Sequence, residues 1–567
     1  SIAKVDNKKL TVGVFSNPGQ ALSGAVSGLR VTQTSGNPGA APTITLRGGT
    51  NLDGSGSPLV IVDGQIRGSL SDINPEDIED MQVMKDAGAT AIYGARANNG
   101  VILITTKKGK SGQSEINFKA KVGVNNLINP YKFTDAETYL TWQRNAYLNS
   151  HNVWTKADGT PVGFSPIANL TKNTPIGTGN SYFASDGKTI LNDGNSIWST
   201  MYLNDQNKIL LDQGWQKMRD PAYDFMLANY QKPWYKSQFG TTFVPQEYLI
   251  FKNTNPADYN FKDPSYTQDY NVNMSGGNDK GHYYSGIGYN YSQGLPINSY
   301  YKRYSFIFNG DYKIKPWLTS ISSFNYGRAN WQSMPGSQGD EANYFSRILS
   351  VPPTVRFSNE DGTPRLGNNA GDGNQNFQPN QWFIFNQTDK FTMNQAFKVD
   401  FTKSLYLRMA ANWYYSEGNY ESLTKDYYNT PTQISTNRST SAEFNRSFEQ
   451  TYNAVLNYEK QINSHYLAVM LGTEFYDSFY NGFSASGSGA ATDDFRDLSL
   501  TSSDKDKRSI DSYHTQQRIL SFFGRVNYDY MGKYILSAVV RRDGYSRLLD
   551  NRWGTFPGVS AAWMFSK

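Results

Sequence analysis

The stretch "AIYGARANNGVILITTKKGK", Ala91 to Lys110, decides how the chain is read. A helix-like run ends at Gly94. A polar turn follows, made of Arg96, Ala97, Asn98, Asn99 and Gly100. Then an apolar run, Val101-Ile102-Leu103-Ile104, reads as a short buried strand closed by Thr105, Thr106 and three lysines. More than 450 residues come after it, and they follow a different pattern.

Upstream, residues 1–110 carry short apolar runs divided by Gly and Pro: "ALSGAVSGLRV", "PTITLRGG", "SPLVIVDGQ", "MQVMKD" and "GVILITTKKG". Asn74-Pro75 before acidic residues marks a helix start, with Asn74 as N-cap and Pro75 at the first helical position. Ala87 to Tyr93 reads as a second short helix stopped by Gly94. These elements predict a compact mixed α+β unit of ordinary domain size.

After Lys110 the segments are long and alternate. In "RYSFIFNGDY" (303–312), Tyr304, Phe306, Phe308 and Tyr312 share one face, and Arg303, Ser305, Asn309 and Asp311 the other. In "FFGRVNYDY" (522–530), Phe522, Val526, Tyr528 and Tyr530 oppose Arg525, Asn527 and Asp529. Leu405, Leu407, Met409, Ala411, Trp413 and Tyr415 likewise oppose Arg408 and Asn412. Period two is strand, not helix. About twelve such strands are predicted, near 115–124, 267–277, 280–293, 301–312, 317–328, 388–400, 404–417, 444–459, 464–478, 515–530, 533–543 and 556–566.

The connections alternate as well. Short turns fall at "GGNDKG", "KIKPWL", "TKSL", "KQINSH" and "DYMGKY". Longer links lie near 125–266, 293–301, 329–387, 418–443, 479–514 and 544–555. Short turns alternating with long loops point to an up-and-down outer-membrane β-barrel, and Tyr and Trp at strand ends suit its aromatic girdles. A large soluble β-sandwich or propeller would use strands of about 5–6 residues, whereas these reach the length that a tilted strand needs to cross a bilayer.

Composition agrees. The 567 residues are 14% aromatic, with 39 Tyr and 11 Trp, yet only 38% hydrophobic. Mean hydropathy is −0.60. Aromatic richness argues against disorder, and no run of about 18 apolar residues supports a membrane helix. The net charge of +5 is spread along the chain, so nucleic acid is not an expected partner. Cysteine is absent, which excludes disulfides and thiolate chemistry. His151, His282, His465 and His514 are far apart, and no Ser/His/Asp arrangement can be read. "GARANNG" is not a phosphate loop. No cofactor is expected. Two Asp/Asn/Gly clusters, "DGSGS" (53–57) and "NNAGDGNQN" (368–376), could offer oxygen to a structural Ca²⁺, and turn chemistry explains them equally.

Several longer motifs carry a family resemblance: "VSGLRVTQTSGNPGAAPTITLRGG" (26–49), "PLVIVDG" (58–64), "INPEDIEDMQVMKDAGATAIYGARANNGVILITTKKGK" (73–110), "NVNMSGGNDKGHYYSGIGYNYSQG" (271–294) and "RRDGYSRLLDNRWGTFPGVSAAW" (541–563). With them the chain resembles the SusC-like (SusC/RagA) TonB-dependent outer-membrane transporters of Bacteroidetes. The resemblance implies a mixed α+β plug domain (1–110) inside an all-β antiparallel transmembrane β-barrel, whose N-terminal part is 111–567. The opening stretch is then the end of the plug. Val101–Thr106 is a plug strand, and Lys107–Lys110 leads to the first barrel strand. Ile102 and Ile104 fill the plug core, and Arg96, Asn98 and Asn99 face the polar lumen.

The family barrel has 22 strands, and about twelve are present here, too few to close that lumen. The start at Ser1 reads as mid-chain. The segment is therefore expected to be part of a longer protein and not to transport alone.

The resemblance further implies TonB-dependent import of an oligosaccharide or oligopeptide. The partners it implies are a SusD-like lipoprotein lid, the TonB–ExbB–ExbD complex and outer-membrane lipids. No enzymatic activity is implied. A passive porin and a secreted β-rich binding or structural protein are the alternatives. Arg47 in "TLRGG" and Arg96 either lock the plug to barrel carboxylates or pair within the plug. "FTDAETYLTWQRNAYLN" (133–149) opens on a Thr134-x-x-Glu137 capping box and is expected to be a helix at the barrel mouth. The aromatic and amide-rich loops, with Trp154, Trp234, Tyr235, Trp382 and Phe383, are candidate contacts to ligand or lid.

Overall fold

The computed structural model describes residues 2–6, 16–46, 57–68, 70–85, 93, 97–112, 114–128, 132–153, 156–157, 166–180, 197–333, 348, 350–357, 382–430 and 433–565. The first unit is built on strands β1 (Ile2–Asp6), β2 (Leu29–Thr32), β3 (Thr43–Leu46), β4 (Leu59–Val62), β5 (Gln65–Arg67), β6 (Ile78–Met84) and β7 (Val101–Thr106). Five of them form one sheet in the order β1-β6-β7-β4-β5, with β4 and β7 parallel, while β2 and β3 pair separately. Leu22, Leu46, Ile73, Ile78, Met81, Val83, Ile102 and Ile104 close its core.

The turn before β7 needs glycine twice over. Gly100 has φ +88, and a Cβ there would stand 2.3 Å from Leu46 Cδ2. Asn74 caps a turn at Pro75 as expected, but the turn is a single 3-10 turn, Pro75–Asp77, running straight into β6. The expected helix at 87–93 lies outside the described residues except for Tyr93.

The strands that follow are β8 (Glu115–Asn125), β9 (Met201–Tyr202), β10 (Gln216–Arg219), β11 (Tyr248–Phe251), β12 (Ser265–Asn278), β13 (Gly281–Gln293), β14 (Tyr300–Lys315), β15 (Leu318–Gln332), β16 (Trp382–Asp400), β17 (Leu405–Thr424), β18 (Tyr427–Thr430), β19 (Gln433–Ser435), β20 (Ser439–Ile462), β21 (His465–Gly487), β22 (Arg508–Tyr530), β23 (Tyr534–Tyr545) and β24 (Trp553–Trp563). Twelve of these, β8, β12–β17 and β20–β24, pair in chain order into one antiparallel wall. Each of the twelve strands read from alternation is present. Eight residues separate the end of β7 from the start of the wall, so the break between the two units falls within 107–114.

Five wall strands are longer than the alternation indicates: β16, β17, β20, β21 and β22 run for 19, 20, 24, 23 and 23 residues. The added residues lie mainly at the long-loop end. A strand that has left the bilayer no longer needs one apolar face, so the pattern fades while the ladder continues.

Burial is inverted relative to a soluble sheet. On β14 the polar Arg303, Ser305 and Asn309 are buried, while Tyr304 and Phe308 are exposed. Ile287 on β13, Met409 on β17 and Leu471 on β21 are also exposed. Registers Ile287↔Phe306 and Phe306↔Tyr326 place these apolar side chains on one continuous outward face. Phe324 there meets Phe306 and Phe391 edge-on, at 5.7 and 4.9 Å. Water is a poor neighbour for that face and hydrocarbon a good one.

The long link between β8 and β12 holds a small folded unit of its own. Helix Ala136–Val153, the sheet β10-β11-β9 and two short helices, Tyr223–Asn229 and Pro233–Phe239, enclose an apolar cluster around Leu140, Leu170, Met226, Tyr235, Leu249 and Phe251. The helix begins one residue later than the expected capping box. Asp135 is the cap, its Oδ1 accepting from the Thr138 amide at 2.8 Å, and Asn253 Oδ1 accepts from the Ala136 amide at 2.9 Å.

Replacing Ile287 by Arg puts a charge in the middle of the outward face, at a cost of roughly 2–4 kcal/mol at the bilayer midplane. The full-length I287R protein is expected to show a reduced heat-modifiable, folded fraction in outer-membrane preparations. An unchanged fraction contradicts the assignment of this face to lipid.

Candidate functional site: the contact between plug and wall

The sequence "SDINPED" (71–77) provides most of the described contact. Pro75 and the Asn74 cap turn the chain sharply, so that Asp72, Asn74, Glu76 and Asp77 all meet the wall within one turn. Glu76 Oε1 accepts from Lys119 and Lys121 of β8, at 2.7 and 3.0 Å. Asn74 Nδ2 donates to Asn271 Oδ1 of β12 at 2.6 Å. Tyr284 of β13 donates to Asp77 Oδ1 at 2.7 Å. Arg303 of β14 donates to the carbonyls of Ser16, Ser71 and Ile73. Lys390 of β16 donates to Ser71 Oγ at 2.8 Å. Arg67 of β5 pairs with Asp72, bonds Thr392 of β16 and lies 5.3 Å from the Tyr414 ring of β17. Asn309 and Asn394 bond the Lys107 and Asp63 carbonyls. The wall therefore curls round the plug from β8 to β17.

Wall glycines make the close approach possible. A Cβ on Gly288 would stand 2.5 Å from Asn74 Nδ2, and one on Gly286 would stand 2.6 Å from Asp77 Oδ1. Charge at the contact has a consistent sense among the described residues. The plug offers carboxylates to wall cations, as in Glu76 with Lys119 and Lys121, and Asp72 with Lys390 at 3.9 Å. The plug arginines expected to face wall carboxylates, Arg47 and Arg96, lie outside the described residues.

Burial pushes the Glu76 and Asp72 carboxyls up, but the surrounding cations outweigh it and hold both below the usual range. Asp77 differs. Burial dominates there, and its pKa is raised to about 6 despite the Tyr284 hydrogen bond and the nearby Lys107 and Arg303.

Among the candidate residues, Arg47, Arg96 and Trp154 lie outside the described residues, as does the Trp382 side chain; both Asp/Asn/Gly clusters do too, except Ser57. Asn98 is exposed and Asn99 half-buried in the turn before β7. Three loop aromatics are corrected. Tyr235 is fully buried, 4.2 Å from the Phe239 ring, and Trp234 packs on it edge-on at 5.7 Å, so both serve the core of the loop unit. Phe383 shares the outward face of β16 with Asp389 and Phe391, and the Arg496 guanidinium covers its ring at 4.5 Å, so it does not face the lumen.

The sequence also hid a buried ion pair. Arg144 and Asp220 are both fully buried and joined by two bonds of 2.6 and 2.8 Å at the centre of the loop unit. The legible signal was an arginine four residues from both Leu140 and Leu148 on the apolar helix face. A Ser/His/Asp arrangement, unreadable in the sequence, is assembled at the short-turn end. Ser111 Oγ lies 2.7 Å from His282 Nε2, and His282 Nδ1 lies 3.0 Å from Asp311 Oδ2. It ties the link after β7 to the β12–β13 hairpin, where the Gly112 amide also bonds the Gly277 carbonyl.

Two outcomes test this contact in the full-length protein. Gly288→Val is expected to lift segment 71–78 off β13 and raise single-channel conductance in planar bilayers, with the barrel still folded. Asp77 gives a pH dependence. Its carboxyl binds a proton more tightly when docked (about 6) than when free (3.8). Docking is then strongest below the free value, weakens as pH rises towards 6 and levels off above it, a change of at most about 3 kcal/mol. Asp72 and Glu76, held low, act in the opposite sense, so the Asp77 contribution is read as a difference: Asp77→Asn should raise the hydrogen-exchange protection of 71–78 at pH 7.5 relative to its protection at pH 4, compared with wild type.

Comparison with known proteins agrees with this architecture. Residues 1–101 match the TonB-dependent Receptor Plug Domain. The chain is 27% identical to the TonB-dependent receptor SusC of Bacteroides thetaiotaomicron, covering 99% of this chain and 49% of that protein. It is 25% identical to the TonB-dependent receptor P26 of Formosa agariphila, covering 100% and 49%. Among solved structures, the RagAB peptide importer in its open-open state superposes with a TM-score of 0.75 at 23% identity, over 99% of this chain and 56% of that one. The chain spans about half the length of the curated relatives it matches. Along its whole length the chain is thus similar to SusC-like TonB-dependent receptors of the outer membrane, with the plug-domain match at its start and a wall of twelve strands after it.

Proposed function

We propose that the protein to which this chain belongs imports an oligomeric nutrient, an oligosaccharide or an oligopeptide, across the outer membrane. In this reading a SusD-like lipoprotein closes over the outer face, and the TonB–ExbB–ExbD complex uses the inner-membrane proton gradient to remodel the plug. The observation that carries the reading is the plug itself, seated on the wall through hydrogen bonds and ion pairs to strands β8 to β17. A neutral bond of this kind is worth only about 0.5–1.5 kcal/mol net and one to a charged group about 1.5–3 kcal/mol, because folding exchanges bonds to water for them. A seat of this kind holds firmly at rest and gives way to directed work. A passive porin has no use for it. The similarity to SusC and to a peptide importer supports the same class and leaves sugar and peptide both open.

Uptake of fluorescent oligomers by cells carrying the full-length protein is expected to cease when TonB is removed. Uptake that persists without TonB overturns the reading in favour of a porin. Recovery of the full-length protein in culture supernatant without detergent would favour a secreted protein. Arg47 and Arg96 are proposed as further plug locks. Arg47→Ala with Arg96→Ala should leave ligand binding at the outer face near wild type, while changing uptake and raising conductance. The loss is expected to be smaller than the about 3–5 kcal/mol of a dry buried pair, since the lumen is wet. Wild-type uptake and conductance in the double variant would make both arginines merely structural.

A further inference from the structure

A cavity of about 380 Å³ lies where the plug loop 35–41 meets wall strands β14, β15 and β16. It sits towards the long-loop end of the wall, the outer end. Its sides are largely apolar: Pro38, Ala40 and Ala41 from the plug, Tyr301, Ala329 and Trp331 from the wall. Registers Tyr301↔Trp331 and Arg303↔Ala329 put these wall residues on the lumen face. Gly39 lies so close to the Tyr301 ring that a Cβ would come within 2.1 Å of Cδ2, which fixes that side of the cavity.

The floor is polar, and its charge does not balance. Arg303, Lys390 and Asp72 line it, and Arg67 stands behind Asp72. All four are nearly buried, at 2%, 8%, 4% and 3% exposure. Among the described residues the floor lining itself holds two cations, Arg303 and Lys390, and one carboxylate, Asp72, while Arg67 and Asp77 stand outside the lining. Asp72 serves Arg67 directly and is 3.9 Å from Lys390 Nζ. Arg303 donates to backbone carbonyls and also feels the Asp77 carboxylate, which does not line the cavity. Lys390 gives one of its three ammonium protons to Ser71 Oγ at 2.8 Å. Uncompensated charge in a desolvated site is costly, and an arriving anion relieves it. Arg328, the remaining charged residue at the rim, pairs with Asp389 on the opposite face of the wall and does not alter this count.

We propose that this cavity is a subsite for one carboxylate-bearing unit of the imported oligomer. The Lys390 ammonium receives the carboxylate, and the Trp331 indole is the platform for the unit's apolar face. The volume is at the lower end of ligand pockets, enough for one sugar ring or one side chain but not for the whole chain of the cargo. The inference rests on the importer reading and narrows its substrate class. A uronate of a glycan and an acidic residue of a peptide share this chemistry.

Titration calorimetry on the full-length receptor separates these sources with matched probes. One series is trigalacturonate and its neutral methyl ester. The other is the capped peptide Ala-Ala-Glu-Ala-Ala and its Gln twin. The acid member of one series is expected to bind roughly tenfold or more tightly than its neutral twin, as a charge-assisted bond would give; the series that discriminates names the source. Lys390→Met should reduce the acid member to the level of its twin and leave the twin unchanged, and Lys390→Arg should keep the preference. Trp331→Ala should weaken both members equally. Equal binding of acid and neutral twins in both series, no binding in either, or equal loss of both in Lys390→Met overturns the proposal. TonB-dependent uptake of neutral oligomers without acid preference would overturn it and leave the importer reading standing.

Discussion

The wall of this protein must be apolar towards lipid and polar towards its lumen, and everything else in the structure answers to that constraint. Alternation along each strand delivers both faces from one sequence. Ile287, Phe308 and Met409 turn out, while Asn290, Arg303, Asn309 and Asn412 turn in and are buried. Buried polar groups without partners are expensive. The plug supplies many of those partners, as when the Asn309 side chain bonds Thr106 and the Lys107 carbonyl. Wall and plug thus complete each other's hydrogen bonding, even though each keeps its own apolar or laddered framework.

The contact is specific in shape as well as charge. Gly286, Gly288 and Gly327 clear the space into which Asp77, Asn74 and Asp72 fit. The 3-10 turn at Pro75–Asp77 then aims consecutive acidic residues at different strands. Glu76 reaches β8 and Asp77 reaches β13, so a short plug segment spans neighbouring strands of the wall. Placing carboxylates on the plug and lysines on the wall also gives one sign of attraction across the seat, which keeps register without a large apolar patch.

The wall was the most legible part of the sequence, because lipid imposes a strict period of two and because loop lengths alternate. Its strand ends were not legible where β16 to β22 rise above the membrane, since nothing there demands an apolar face. The plug core at Ile102 and Ile104 was readable as a short apolar run. Its seat was not. Glu76 and Asp77 read as ordinary first-turn acids, and only the fold brings Lys119 and Tyr284 to them. The aromatic loop residues misled for a related reason. Tyr235 has the composition of a binding residue, yet the link between β8 and β12 is long enough to build its own core and bury it. Arg144 was the clue, since an arginine within an apolar helix stripe needs a carboxylate, and Asp220 provides one.

Two kinds of cohesion therefore divide the molecule. The wall is a continuous ladder in which each inner strand is bonded on both sides, and opening it exposes backbone groups to hydrocarbon. The plug holds itself together by an apolar cluster around Leu22, Ile73, Met81 and Ile104, but meets the wall mainly through polar side chains. Between them, the link at residues 107–112 is clamped to the β12–β13 hairpin by Ser111, His282 and Gly112. Gly109 there lies so close to the hairpin that a Cβ would meet the Tyr283 carbonyl oxygen at 2.3 Å. Force applied to the plug meets its weakest resistance at the polar seat, where water substitutes for lost bonds. It meets far more at the ladder, where nothing does. The two parts are thus held by bonds of different kinds, polar side chains at the seat and a backbone ladder in the wall.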